Sequence, residues 1–187
     1  NAIPACAPLA INFGTNGTIT LTSALPTITH PNLTINGPGA SLLTVRAPNA
    51  TTTIRVFDIS GVGNMVTLSG LTITNGNVTT LLALDSYGGG IRNQGATLTL
   101  NNCVISNNHA VRGGGVVLTG GTLNLTGCTL SGNEAIDEGG ALENAGGTVT
   151  ANTSTFTGNS TTTLSNGDGG AYNSENPFQP IEREGNP

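Results

Sequence analysis

The feature that most constrains this chain is a recurring Gly-Gly step. Steps open at Gly88, Gly113, Gly139 and Gly169, which puts them 25, 26 and 30 residues apart. They run into Ile91, Val116, Leu142 and Tyr172. A second landmark follows the first three steps: Ile105-Ser-Asn-Asn108, Leu130-Ser-Gly-Asn133 and Phe156-Thr-Gly-Asn159, spaced by 25 and 26. Two landmarks that keep one period mark an internal repeat, and periods of about 20–50 residues belong to solenoids and related arrays.

Between the landmarks, apolar residues alternate with polar ones. Leu98 and Leu100 are followed one period later by Leu123 and Leu125, then by Val149 and Ala151. After a two-residue break come Cys103 with Ile105, Cys128 with Leu130, and Ser154 with Phe156. Period-two alternation is the mark of a strand with one buried face, and the break marks a bend into the next sheet. The exchange of Cys with Ile for Ser with Phe is the size trade that a tightly packed interior needs.

A looser version fills the N-terminal half. Val66, Leu68, Leu71 and Ile73 lead to Thr74-Asn75-Gly76, and Ile19, Leu21, Ile28, Leu33 and Ile35 lead to Asn36-Gly37. Ile54, Val56 and Ile59 supply a further strand series. Asn and Gly follow most of these strands, where a left-handed backbone turn is needed. Leucine-rich repeats have a similar period, but their Leu spacing and their helix are missing. The expectation is an all-β chain forming a right-handed parallel β-helix of about six coils, the hand following the rule for parallel crossovers. It spans residues 1–173, with the Gly-Gly repeats clearest over 88–173, and leaves 174–187 as an extended tail.

Composition narrows the function classes. Charged residues make up 8% of the chain, there is no Lys or Trp, and the net charge is −5. No basic stretch is present, so no nucleic-acid partner is expected. No apolar run reaches the roughly 18 residues of a membrane span. Chains this poor in Lys and Glu are not helical bundles. Three Cys is an odd number. Cys103 and Cys128 share one core position in adjacent coils, as buried thiols or as a disulfide, and Cys6 stands outside the array.

The repeats resemble those of bacterial surface proteins with parallel β-helix arrays. The chlamydial polymorphic outer-membrane proteins carry Gly-Gly-Ala-Ile and Phe-x-x-Asn steps, matched here by Gly139-Gly140-Ala141-Leu142 and Phe156-Thr-Gly-Asn159. The stretches Thr18–Thr29 and Asn32–Gly39 resemble large secreted bacterial repeat proteins that carry a Cys-Ser-Leu-Arg-Glu-Ala motif. The resemblance covers about residues 11–173 and implies an extracellular or cell-surface β-helix. The six-residue motif itself is absent, and the last Gly-Gly step opens a coil whose strands do not follow. Both ends therefore read as unfinished, as expected of a fragment of a long adhesin or of a subunit completed by its neighbours.

No constellation for catalysis emerges. Asp58, Asp85, Asp137 and Asp168 form no paired cluster of the kind that glycoside hydrolysis uses. A lyase base is not evident either, since Lys is absent and the Arg are scattered. The densest acidic group is Glu134, Asp137 and Glu138, with Glu143 nearby. Alignment on the Gly-Gly steps stacks Tyr87, Arg112, Glu138 and Asp168 in successive coils. That predicts a surface ion pair between Arg112 and Glu138, and a like-charge contact between Glu138 and Asp168. This contact is either a solvated loop or a Ca²⁺ site, and the missing calcium-repeat spacing favours the loop. His30 and His109 are read as turn residues without a metal-spaced partner, and Asn108, Asn133 and Asn159 as a ladder of stacked amides.

Several Thr-x-Thr pairs are similar to those of ice-binding solenoids: Thr18/Thr20, Thr27/Thr29, Thr72/Thr74, Thr97/Thr99, Thr148/Thr150 and Thr153/Thr155. They do not share one coil position, so no flat lattice is expected from them. The reading adopted is a non-enzymatic extracellular structural or adhesive module, with no catalytic, cofactor-binding or metal-binding residue assigned. Unguarded strand edges invite pairing, so end-to-end self-association is expected through Ile11, Phe13, Ile19, Leu21, Tyr172, Phe178 and Ile181. The coil near 11–21 of one copy would meet the coil near 169–173 of the next. A surface glycan or protein is the other partner class, reached through inserts at 77–87 and 160–168. A carbohydrate-active β-helix, lyase-like or hydrolase-like, is the competing reading.

Overall fold

The computed structural model of the chain describes residues 7–49, 51–79, 83–162, 170 and 172–174. Cys6, Asp168, Gly169, Phe178 and Ile181, all of which carried sequence expectations, lie outside the described residues.

The chain winds through three sheets of parallel strands and has no α-helix among the described residues. One sheet has six strands: Gly17–Thr20, Leu43–Arg46, Thr72–Thr74, Val104–Ser106, Thr129–Ser131 and Thr155–Thr157. A nine-stranded sheet is folded into two panels, because Ile91–Asn101 and Val116–Thr126 are long enough to serve both. Its leading panel contains Phe57–Ser60, 91–94, 116–118, Leu142–Asn144 and Tyr172–Ser174. Its trailing panel contains Leu9–Asn12, Asn32–Asn36, Met65–Ser69, 97–101, 122–126 and Thr148–Asn152. The third and shortest face holds His109–Arg112, Glu134–Glu138 and Ser160–Thr161. Stacked parallel strands joined by long crossovers make the chain a β-solenoid.

The period-two pattern becomes columns running along the stack. Leu9, Leu33, Val66, Leu98, Leu123 and Val149 are register partners in succession. Ile11, Ile35, Leu68, Leu100, Leu125 and Ala151 form a second column. On the six-stranded sheet the inward column is Ile19, Val45, Ile73, Ile105, Leu130 and Phe156. These columns meet in one narrow core, fully buried at Leu68, Leu98, Leu100, Ile105, Leu123 and Leu130. Cys103 and Cys128 are free thiols buried in the same core. Their Sγ atoms approach backbone carbonyls, Leu68 O at 3.4 Å and Leu100 O at 3.3 Å. The hydrogen bond with the Cys128 thiol, and then burial, push the Cys103 thiol above its ordinary value.

Three corners close the coils from Met65 to Leu142, and the left-handed backbone region marks all of them. Between the trailing panel and the six-stranded sheet stand Gly70, Asn102, Gly127 and Thr153, with φ of 61°, 51°, 61° and 48°. Between that sheet and the short face stand Asn75, Asn107, Gly132 and Gly158, with φ of 62°, 53°, 60° and 61°. The Gly-Gly step is the third corner. Its first glycine turns the chain, with φ of 68° at Gly88 and 61° at both Gly113 and Gly139. Its second glycine serves close approach: a Cβ on Gly89, Gly114 or Gly140 would strike the carbonyl oxygen of His109, Glu134 or Ser160 respectively. The motif thus joins a backbone that only glycine adopts easily to a gap that only glycine fits.

Among the described residues, Leu9–Asn12 is the first strand of its panel and pairs on one side, with Asn32–Asn36. Leu9 is 46% and Ile11 42% exposed, although every later described member of their columns is buried or half-buried. Phe13 and Ile19 are half-buried against the core. Leu21, another of the expected assembly contacts, is 6% exposed and packs in the core. The strand Tyr172–Ser174 continues the leading panel, whereas Leu9–Asn12 starts the trailing one. Among the described residues, the last strand of the trailing panel is Thr148–Asn152.

Candidate functional site

Charge is concentrated at one corner of the coil, with Arg46 outside it. Among the described residues, Arg46 is the sole charged side chain on the trailing panel and the six-stranded sheet. Asp58, Arg92 and Glu143 lie on the leading panel, and Arg112, Glu134, Asp137 and Glu138 lie on the short face. Arg55 and Asp85 stand beside them.

The lower half of this corner is a closed network. Arg92 meets Asp58 through two parallel hydrogen bonds, Nε to Oδ1 at 2.8 Å and Nη2 to Oδ2 at 3.0 Å. Its Nη1 donates to Asp85 Oδ1 at 2.9 Å. Burial works to raise the Asp58 carboxyl, but hydrogen bonds from Arg92 and Thr27 outweigh it and hold the group below its ordinary 3.8. Arg55 donates to the carbonyls of Asp85, Tyr87 and Gly88, capping the loop before the first Gly-Gly step. Burial, and then the neighbouring Arg92, lower Arg55 to about 10, so it stays charged at neutral pH.

The upper half carries an excess of acid. Arg112 pairs directly with Glu138, its register partner one coil on. Asp137 Oδ2 lies 3.6 Å from Arg112 Nε, and Glu143 Oε1 lies 4.0 Å from Nη2. Three carboxylates therefore face one guanidinium, which stacks over the Tyr87 ring at 5.8 Å. The expected column is present as Tyr87, Arg112 and Glu138. The expected surface pair is less exposed than a surface pair should be, with 18% of each side chain accessible and Glu143 wholly buried behind it.

Two readings at single residues change. His109 has an acidic neighbour after all, because the register places Glu134 one coil above it, with Nδ1 3.7 Å from Oε2. The buried bends within the folded sheet depend on Asn93 and Asn144, which the sequence reading passed over. Asn144 Oδ1 accepts from Gly147 N at 2.8 Å while its Nδ2 donates back to Gly147 O at 3.1 Å, and Asn93 does the same with Ala96. Their sequence signal is Asn-x-Gly in Asn93-Gln-Gly95 and Asn144-Ala-Gly146. The expected amide ladder is present. Asn108 Nδ2 donates to Asn133 Oδ1, and Asn133 Nδ2 to Asn159 Oδ1, both at 2.9 Å.

Opposite the charged corner lies a hydroxyl face. On the six-stranded sheet, the outward residues flanking the inward column fall into two further columns. The first is Thr18, Thr44, Thr72, Val104, Thr129 and Thr155. The second is Thr20, Arg46, Thr74, Ser106, Ser131 and Thr157. The Thr-x-Thr pairs do divide between faces, since Thr97/Thr99 and Thr148/Thr150 lie on the trailing panel and Thr27/Thr29 lie outside named strands. Single threonines at 44 and 129 complete the array that the pairs alone do not.

Among the described residues, no group of three or more His, Cys, Asp or Glu side chains is placed to hold a metal ion. No family model, no curated protein and no solved structure matches the chain.

Proposed function

We propose that this chain is a non-enzymatic structural or adhesive module of the cell exterior, a right-handed parallel β-helix of about six coils that stacks end to end with its own copies. The observation that carries the proposal is the exposure of Leu9 and Ile11 at the head of columns that are otherwise covered. Burying such a side chain is worth about 1.5–3 kcal/mol, and the edge of Leu9–Asn12 that no described strand pairs adds backbone hydrogen bonds. The matching surface is Thr148–Asn152 with Thr155–Thr157, which would bring the half-buried Ala151 and Phe156 over Ile11 and Ile19 of the next copy. The contact is heterologous, so it repeats without closing. Sedimentation and electron microscopy of the purified chain test it. Rods that lengthen with concentration are expected, and Ile11→Glu should leave monomers. A chain that stays monomeric at high concentration, or a variant that assembles unchanged, removes the proposal.

The second reading, a carbohydrate-active β-helix, is favoured by one observation: Asp137, Glu138 and Glu143 gathered around Arg112 beside Tyr87. Activity on acidic polysaccharides, with and without Ca²⁺, that is lost in Glu138→Gln and in Asp168→Asn would establish it.

A further inference from the structure

We propose that the six-stranded face binds the ordered water of an ice surface. This goes beyond the structural role, because it assigns a ligand to a side face that stacking does not use. Four observations carry it.

The first is the register. Strand partners hold Thr18, Thr44, Thr72, Thr129 and Thr155 in one file, with Val104 in the fourth place. Val keeps the β-branched outline and the outward methyl of Thr. Parallel strands stand about 4.8 Å apart and alternate residues about 6.7 Å apart. Two files of outward side chains therefore form a grid on the scale of oxygen spacings in an ice face.

The second is charge. A chain of net charge −5 collects its described charges at the opposite corner and leaves Arg46 as the exception on this sheet. A face so depleted of charge complements an uncharged partner and repels none. The third is rigidity. β-Branched side chains are stiff at χ1, and the strands beneath are fixed by the inward column, so hydroxyl and methyl positions are set before binding. Preorganisation lets many weak contacts add. The fourth is the absence of aromatic side chains at the outward positions of this sheet. Sugar-binding faces present such rings, so an uncharged polysaccharide is the poorer match.

The test uses the full chain, fluorescently labelled and frozen slowly onto a cold finger. Enrichment in the ice fraction and faceting of a single ice crystal are the expected results. Thr129→Tyr should lower enrichment by about tenfold, as one bulky ring lifts a rigid multivalent face off its lattice. Thr99→Tyr, on the trailing panel and inside the stack, should leave enrichment intact. If Thr129→Tyr fails to fold by circular dichroism, Thr18→Tyr on the exposed first strand reads the same contact. Ile11→Glu separates this proposal from stacking, because a monomer that no longer assembles should still enter ice. Exclusion of the unmodified chain from ice, or equal losses in Thr129→Tyr and Thr99→Tyr, overturns the proposal. Retention on microcrystalline cellulose without ice enrichment also overturns it and assigns the face to a polysaccharide.

Discussion

At the scale of the residue, the corners explain why Gly and Asn recur and where the pattern is broken. Thr153 holds a left-handed backbone, φ 48°, at a position filled by Gly70, Asn102 and Gly127 in other coils. A β-branched residue there is strained by roughly 1–2 kcal/mol. Thr153→Gly should therefore raise the midpoint of thermal unfolding, followed by circular dichroism, and a lowered midpoint would mean that the threonine contributes more than its backbone costs. Asp58 gives a pH prediction. Its folded carboxyl titrates below the unfolded value, so its stabilising effect is full above the unfolded pKa near 3.8 and disappears as pH falls through the folded one. Thermal melts of the native chain and of Asp58→Asn should differ at pH 6 and converge in strong acid. These two residues also mark what sequence reading reaches. The Arg112–Glu138 pair was legible because one 26-residue repeat separates the residues. The Asp58–Arg92 pair was not, because the 77–87 insert lies between them and hides that they are neighbours.

At the scale of the element, legibility followed the regularity of the period. Over 88–159 the repeat of 25 or 26 residues aligns each strand with the next by counting. Between Leu33 and Val66 the interval is 33, so the partners in the same column could be named as strands without being placed in register. The hydroxyl face was missed for a related reason: it recruits Thr44 and Thr129, which belong to no Thr-x-Thr pair. The Gly-Gly step, legible as a landmark, became explicable only when the neighbouring carbonyls were in view. Gly114→Ala would drive a methyl group into the Glu134 carbonyl oxygen, with the Gly140 oxygen also only 2.5 Å away. Overpacking of this kind costs about 1–3 kcal/mol. Gly146→Ala, whose added Cβ would meet nothing closer than 3.5 Å, is the matched control. Chemical denaturation should show a clear loss for the first and a change near zero for the second. Equal losses would place the cost in the general loss of glycine at a bend and not in the gap at the corner.

At the scale of the whole molecule, the division of charge from apolar ends separates two ways of assembling. The described charges other than Arg46 sit along one corner, largely paired with one another, whereas the first described strands present Leu9, Ile11 and the half-buried Ile19. If copies join through their ends, association is driven by apolar burial and by strand edges, neither of which simple salt screens. Raising sodium chloride from about 0.01 M to about 0.15 M shortens the Debye length from roughly 30 Å to roughly 8 Å, and this should leave rod length nearly unchanged. Ammonium sulfate, which strengthens effective burial, should lengthen the rods. Light scattering across both salts decides the matter. Rods that dissolve in sodium chloride would mean that the acidic excess around Arg112 meets a cationic surface of the next copy, an arrangement in which Glu138→Gln and not Ile11→Glu would abolish assembly.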